Sequence, residues 1–201
     1  MASRSAKVTA AAVPLGILAS GVLVWQASYA AFTATTTNPH NSFSAGTVVL
    51  TDDHQPSTVL FNAGNLKPGS TGSSCIKVTY NGSLAANVKL YLKSGDLTNT
   101  ANGDLSPYLT FQVAEGDGSA ADCSDFTGGS NLYNPTGSGD TTKTLADFAA
   151  NKTTFGTGVS AFAPTGTGQS KTYKITYWLQ DNNNAQNKNN TAKFTWEAQN
   201  T

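Results

Sequence analysis

The chain has 201 residues, a formal net charge of zero and only 12% charged residues, about half the share of charge in an average soluble protein. A neutral chain does not favour a nucleic-acid-binding surface. Thr, Ser, Asn and Gly together supply 84 of the 201 residues, so the surface is polar through hydroxyl and amide groups. This composition favours an exported β protein over a cytosolic helical one.

Residues 1–31 are typical of a secretory signal peptide. Two basic residues precede an uncharged, largely apolar run over 8–25, for which we expect a helix. Small residues follow, and they predict cleavage after Ala30, with a cut after Ala31 as an alternative. An uncleaved membrane anchor is the competing interpretation, although the run is at the lower length limit for a membrane span.

Cys75 and Cys123 are the only two cysteines, and both follow the signal peptide. An even pair in an oxidising compartment predicts one disulfide. Cys75 lies in a strand-like pattern and Cys123 in a loop-like one, so the bond would tie the loop down. A redox or metal pair is the alternative, but there is no CxxC motif and no neighbouring histidine.

Alternation of apolar and polar residues dominates the rest of the chain, and this period of two predicts strands with one buried face. The patterns cover 75–80, 88–93, 108–114, 173–180 and 192–199, with two shorter candidates at 47–51 and 59–62. Seven strands separated by Gly, Asn, Asp and Pro turns indicate an all-β protein. We therefore expect a single antiparallel β-sandwich domain over residues 32–201, with long loops.

Turn residues predict how some strands connect. Lys67-Pro68-Gly69 predicts a tight turn before the Cys75 strand. Tyr80-Asn81-Gly82 predicts a strand end that runs into an Asn–Gly turn. The Asn-rich segment 181–190 lies between two strong strand patterns and predicts a long hairpin loop, which we interpret as a solvated connection.

Residues 115–143 are rich in Gly and acidic residues and poor in core candidates, which predicts a loop-rich insertion held by Cys123. Directly afterwards, Leu145, Phe148 and Ala149 follow helical spacing within 144–152. This segment predicts one short helix that acts as a lid on a sheet edge or end.

Residues that could carry chemistry are few. Asp52, Asp53 and His54 are weak metal-ligand candidates, because three adjacent residues rarely point at one ion. The sequence has no HExxH motif, no catalytic constellation and no cofactor fingerprint. Tyr91 and Trp178, both expected to be exposed, could form a platform for stacking sugars.

Four stretches of the chain, in this order and spacing, resemble the TasA/camelysin family of exported matrix proteins, which a SipW-type signal peptidase processes. The first is Tyr29-Ala30-Ala31-Phe32 followed by residues 41–50 (NSFSAGTVVL), and the second is residues 61–70 (FNAGNLKPGS). The third is residues 76–83 (IKVTYNGS), and the fourth is Asn184-Ala185-Gln186 together with residues 194–199 (FTWEAQ). The cysteine pair and the acidic insertion depart from the best-known members and suggest an actinobacterial-type branch.

The resemblance implies a jelly-roll-like sandwich and a role as a secreted subunit of extracellular biofilm-matrix fibres. It also implies that subunits join head to tail when the freed N-terminal segment of one adds a strand to the next. The segment 32–46 is uncharged and Thr-rich. We expect Thr35, Thr36 and Thr37 to form the donated strand and Phe32 and Phe43 to act as apolar plugs. The expected partners are further copies of the chain, the signal peptidase and other matrix proteins.

Two alternatives to the fibre subunit stay open. The first is a secreted camelysin-like metallopeptidase, because relatives have been described as such enzymes. The second is a cell-surface adhesion or carbohydrate-binding module that would use Tyr91, Trp178 and the Asn-rich segment.

Overall fold

The computed structural model describes the backbone of residues 33–37 and the full residues 50–53, 66–99 and 102–201. The predicted signal peptide, its cleavage residues Ala30 and Ala31, and Phe32, Phe43 and His54 lie outside the described residues, as does the strand candidate at 59–62. None of the helices that the structure describes is long and apolar enough to cross a membrane.

The described residues are mostly β-strands. The strands are β1 (Thr33–Thr37), β2 (Leu50–Asp52), β3 (Thr71–Tyr80), β4 (Ala86–Tyr91), β5 (Leu97–Thr98), β6 (Leu109–Asp117), β7 (Thr127–Tyr133), β8 (Gln169–Leu179), β9 (Thr191–Ala192) and β10 (Thr195–Asn200). The α-helix described is α1 (Leu145–Asn151), and three 3-10 turns are at Ser106–Tyr108, Gly137–Gly139 and Asn183–Ala185.

The strands form two principal antiparallel sheets. The larger has the order β2-β3-β8-β6-β7, and the smaller has the order β1-β10-β4. A two-stranded ladder of β5 and β9 accompanies them. The apolar alternation along β3, β6, β8, β4 and β10 explains this arrangement, because each strand buries one face against the opposite sheet. The predicted antiparallel β-sandwich is therefore confirmed.

The core lies between the two sheets. Tyr173 of β8 and Trp196 of β10 are almost fully buried and meet edge to face, with ring centroids 5.7 Å apart. At one end of the sandwich Phe111, Phe148 and Phe194 form an aromatic cluster with centroid distances of 5.2 to 6.3 Å. These contacts join both sheets and α1 into one hydrophobic core.

The helix forms where its spacing predicts. The side chain of Thr144 caps its first turn by accepting a hydrogen bond from the backbone N–H of Asp147 at 3.1 Å. Leu145 and Phe148 are buried. The helix therefore contributes to the core rather than only covering a sheet edge.

Two predicted connections are wrong. The predicted strand end at Tyr80 is confirmed, but β3 and β4 belong to different sheets, so the Asn81-Gly82 pair lies in a crossover and not in a hairpin turn. The Asn-rich segment 181–190 likewise joins β8 of the larger sheet to β9 and β10, and it buries Ala185 in the core. By contrast, the turn at Pro68-Gly69 is confirmed, with Gly69 at φ +80° and Ser70 N–H bonded to the Lys67 carbonyl at 2.8 Å.

The cysteines form the predicted disulfide, with 5.2 Å between their Cα atoms. Cys75 lies on the outer face of β3, and its N–H donates to the carbonyl of Ala121 at 2.9 Å. The bond ties the loop between β6 and β7 across the neighbouring strand β8 onto β3. The stretch 115–143 also contains β7, an edge strand that the sequence pattern does not indicate.

Candidate assembly edge

β10 is the middle strand of the smaller sheet and the centre of the candidate site. Trp196 and Ala198 point inward and are buried at 1% and 0% exposure. On one side β10 pairs with β4, so that Glu197 lies opposite Lys89. On the other side it pairs with β1, so that Thr36 lies opposite Trp196 and Ala34 opposite Ala198.

The direction of the backbone amides follows from the register. The N–H of Leu90 bonds the carbonyl of Val159 at 2.9 Å, on the side of β4 away from β10. Because amide direction alternates along a strand, Lys89 and Glu197 form a hydrogen-bonded pair, and Trp196 and Ala198 direct their amides toward β1. The hydrogen-bonded pairs of the β1–β10 ladder are therefore Thr36 with Trp196 and Ala34 with Ala198.

The sequence predicts that the Thr-rich segment finds its partner strand in another copy of the chain. In the structure, Thr35, Thr36 and Thr37 belong to β1 and pair with β10 of the same chain. The isolated subunit therefore fills this edge with its own N-terminal strand. The pairing shows that the Thr-rich segment fits β10, and it gives the register between the two strands.

The outer face of β10 carries a buried carboxylate. Glu197 is 7% exposed, accepts a hydrogen bond from the Tyr91 hydroxyl and accepts another from Gln199 Nε2 at 2.8 Å. Burial raises the pKa of Tyr91, and the Glu197 carboxylate raises it further. Glu197 therefore joins β4 to β10 through side chains as well as through the ladder.

This geometry corrects the prediction for Tyr91. Tyr91 is only 4% exposed, and its hydroxyl is bonded to Glu197. Trp178 is in β8 of the other sheet, beside Gly137. The two aromatic residues therefore do not form a common platform for a sugar.

The other edge of β4 is covered by residues 159–164, which we call the strap. The N–H groups of Ala86, Val88 and Leu90 donate to strap carbonyls, each at 2.9 Å. Val159 returns a bond of 2.8 Å from its N–H to the Leu90 carbonyl. Both edges of the β4–β10 pair are thus occupied, one by β1 and one by the strap.

Asp53, one of the candidate metal ligands, is hydrogen-bonded to the neighbouring strand. One carboxylate oxygen of Asp53 accepts the backbone N–H of Lys77 at 2.9 Å, and the Asp53 N–H donates to the Lys77 carbonyl at 3.2 Å. Asp53 therefore extends the pairing of β2 with β3. Across the described residues, no three His, Cys, Asp or Glu side chains come together in a way that could hold a metal ion.

The acidic residues of the disulfide-linked loop support the loop itself. Asp125 accepts the backbone amides of Ser119 and Ala120, both at 2.9 Å, and Asp122 accepts that of Ser124 at 3.0 Å. These bonds hold the pKa values of both aspartates below their usual value.

Comparison with known proteins identifies one family. A family model described as camelysin metallo-endopeptidase matches residues 4–112, a little more than half of the chain. The matched range includes β1 through β5 and the beginning of β6. No curated protein matches the chain.

Proposed function

The chain belongs to the TasA/camelysin family, and from this premise we propose that it is a secreted structural subunit of extracellular fibres in a biofilm matrix. In this proposal the N-terminal strand of one subunit replaces β1 on β10 of the next subunit. Because donor and acceptor are at different places on each copy, the contact is head to tail, and it builds an open fibre when the rotation between subunits does not close a ring.

The observation that carries the proposal is the β1–β10 pairing. A five-residue, Thr-rich strand at the N-terminal end of the described chain occupies a sheet edge. Its backbone is joined to the next described residue, Leu50, by twelve intervening residues. The same strand from a second copy could make the same backbone hydrogen bonds with the same register, which is β-augmentation.

The donated strand and the resident strand have the same sequence, and this determines the free-energy change of exchange. A strand supplied by a neighbour gains nearly the same hydrogen bonds and side-chain contacts as the resident strand loses. The intramolecular strand benefits from a high effective concentration, so a high subunit concentration favours exchange. The edge strand β1 is also short, which keeps the cost of its release small.

Export and processing complete the proposal. The N-terminal signal sequence would direct the chain out of the cell, where the disulfide between Cys75 and Cys123 is stable. A SipW-type signal peptidase would free the N-terminal segment for exchange, and other matrix proteins would join the fibre. We expect no nucleic-acid partner, because the chain has no net positive charge.

The test is negative-stain electron microscopy of the purified mature protein, with its N-terminal residue read by mass spectrometry. We expect filaments from the mature protein and none from a variant that lacks residues 32–42. The variant keeps β10 and should act as a chain terminator, because it can accept a strand but cannot donate one. Substoichiometric amounts should therefore shorten wild-type filaments, whereas normal filaments formed by the variant alone would refute donor-strand assembly.

Peptidase activity is the second candidate, because the family model is described as a metallo-endopeptidase. The residues that the structure describes hold no three-residue metal cluster, but the two histidines, His40 and His54, lie outside them. A casein-cleavage assay with and without a metal chelator separates the two functions. Cleavage that the chelator abolishes would support the peptidase.

A further inference from the structure

The strap is held to the sandwich by a partly buried side-chain network that the proposed assembly does not use. Glu115 of β6 is 6% exposed and follows Phe111 and Val113 on the inward face of the larger sheet. Its carboxylate accepts a hydrogen bond from the Ser160 hydroxyl and lies 3.3 Å from the N–H of Ala161. A side chain of one sheet thus binds the segment that covers the edge of the other.

The Ser160 hydroxyl is the centre of this network. Its hydrogen is donated to Glu115, so its oxygen can only accept from its other two neighbours. These are the N–H of Phe162 and the hydroxyl of Tyr173, both at 2.9 Å. Tyr173 is fully buried, and its pKa is raised by burial and by Glu115. One hydroxyl therefore connects the strap to β6 and to β8.

We propose that Glu115 and Ser160 form a latch that keeps the strap closed over β4 and thereby conceals a second sheet edge capable of accepting a strand. Without the strap, the N–H groups of Ala86, Val88 and Leu90 would face solvent. Such a row of unpaired backbone groups is a template for pairing with another chain. With the strap closed, the β4 side of this sheet is covered by the strap and the β10 side by β1. This proposal concerns residues outside the assembly edge and does not depend on fibre formation.

Neighbouring amides of β4 provide an internal comparison. Ala86, Val88 and Leu90 donate to the strap, whereas the amides between and after them, at Asn87, Lys89 and Tyr91, face β10. Hydrogen exchange measured residue by residue by NMR can therefore separate opening of the strap from opening of the whole strand.

The test compares wild type with Ser160→Ala, and with Ser94→Ala as the control, because Ser94 is an exposed turn residue. In Ser160→Ala we expect at least tenfold faster exchange at Ala86, Val88 and Leu90, with unchanged exchange at Asn87, Lys89 and Tyr91. Glu115→Gln should give the same selective pattern. The control should match wild type at all six amides.

Two results would overturn the latch. One is wild-type exchange at the strap-facing amides in Ser160→Ala. The other is equal acceleration of all six amides, since this would indicate general destabilisation instead of strap release. The Ser160→Ala result decides the question alone if Glu115→Gln does not fold. Each result leaves the fibre proposal unaffected, because the exchange experiment uses the monomer.

Discussion

Thr33 and Gln199 are directly opposite each other at the end of the β1–β10 ladder. They form a non-hydrogen-bonded pair, because the hydrogen-bonded pairs are those of Ala34 and Thr36. Opposite residues in such pairs have Cα atoms about 4.5 Å apart, which is within the range that a disulfide spans. This pair therefore offers a way to lock the N-terminal strand onto its own subunit.

The first prediction is that a Thr33→Cys/Gln199→Cys variant, once oxidised, stays monomeric at concentrations at which wild type polymerises. The locked strand cannot be donated, and the acceptor edge stays filled. Light scattering and electron microscopy measure assembly, and mass spectrometry under non-reducing conditions verifies the new bond. A reductant should restore growth.

Two controls belong to this experiment. Thr33→Cys alone tests the effect of the substitution, and wild type in the same reductant accounts for loss of the native disulfide. Growth of the oxidised double variant at the wild-type rate would show that release of β1 is not required. Failure of wild type itself to form fibres would instead count against the proposed function.

The sequence predicts the position of most strands but not their partners. The alternation at 75–80, 108–114 and 173–180 marks one buried face, and all three segments are strands of the larger sheet. The local sequence pattern of a strand does not show which of the two sheets the strand joins. For this reason Asn81-Gly82 resembles a hairpin turn although the chain crosses there to the other sheet.

The second prediction concerns the native disulfide, which closes a loop with a sequence separation of 48. A Cys75→Ser/Cys123→Ser variant should lose about 3–4 kcal/mol of unfolding free energy, because the unfolded chain gains entropy. Urea denaturation measures the loss, with wild type under reducing conditions as the matched comparison. An unchanged unfolding midpoint in both would mean that other contacts of the loop, such as the hydrogen bonds of Asp125, hold it in place.

The burial of Tyr91, the strand β7 and the inward position of Glu115 could be predicted only in part from the local sequence pattern. Tyr91 falls on the polar face of its strand, yet it is buried because Glu197 provides a partner for its hydroxyl. Strand β7 lacks alternation, and its pairing with β6 defines it. The unusual position of Glu115 could be recognised from the sequence. It alternates with Phe111 and Val113 and is therefore an acidic residue on the apolar face of the strand.

The third prediction is a titration of the disulfide-linked loop. The backbone amides of Ser119 and Ala120 hold the pKa of Asp125 below its ordinary value of 3.8. A group whose pKa is lower in the folded state stabilises the fold above the unfolded pKa, and this contribution disappears as the pH falls through the folded value. The NMR shifts of both amides should therefore titrate with a midpoint below 3.8.

Two substitutions separate the carboxylates in this titration. Asp125→Asn should abolish the transition at Ser119 and Ala120, because the neutral amide does not ionise. Asp122→Asn should leave it in place, since Asp122 bonds Ser124 instead. A midpoint at or above the ordinary value would contradict the role of Asp125 in holding the loop.

The fourth prediction tests the packing of the loop on the sheet. At Gly116 of β6 an added Cβ would lie 2.5 Å from the Thr127 carbonyl oxygen and 2.8 Å from the Phe126 ring. The carbonyl belongs to Thr127 of β7, which pairs with Asp117 directly after an irregularity of the ladder between Glu115 and Asp117, so its withdrawal would disturb that pair. Gly116→Ala should therefore cost about 1–3 kcal/mol of unfolding free energy.

Gly156→Ala is the matched control, because nothing lies within 4 Å of its added Cβ. Both substitutions reduce the entropy of the unfolded chain equally, so their difference isolates the steric conflict at β6 and β7. Urea denaturation measures both, and exchange at the β7 amides should quicken only in Gly116→Ala. Equal stability of the two variants would mean that β7 and Phe126 can shift outward without loss of stability.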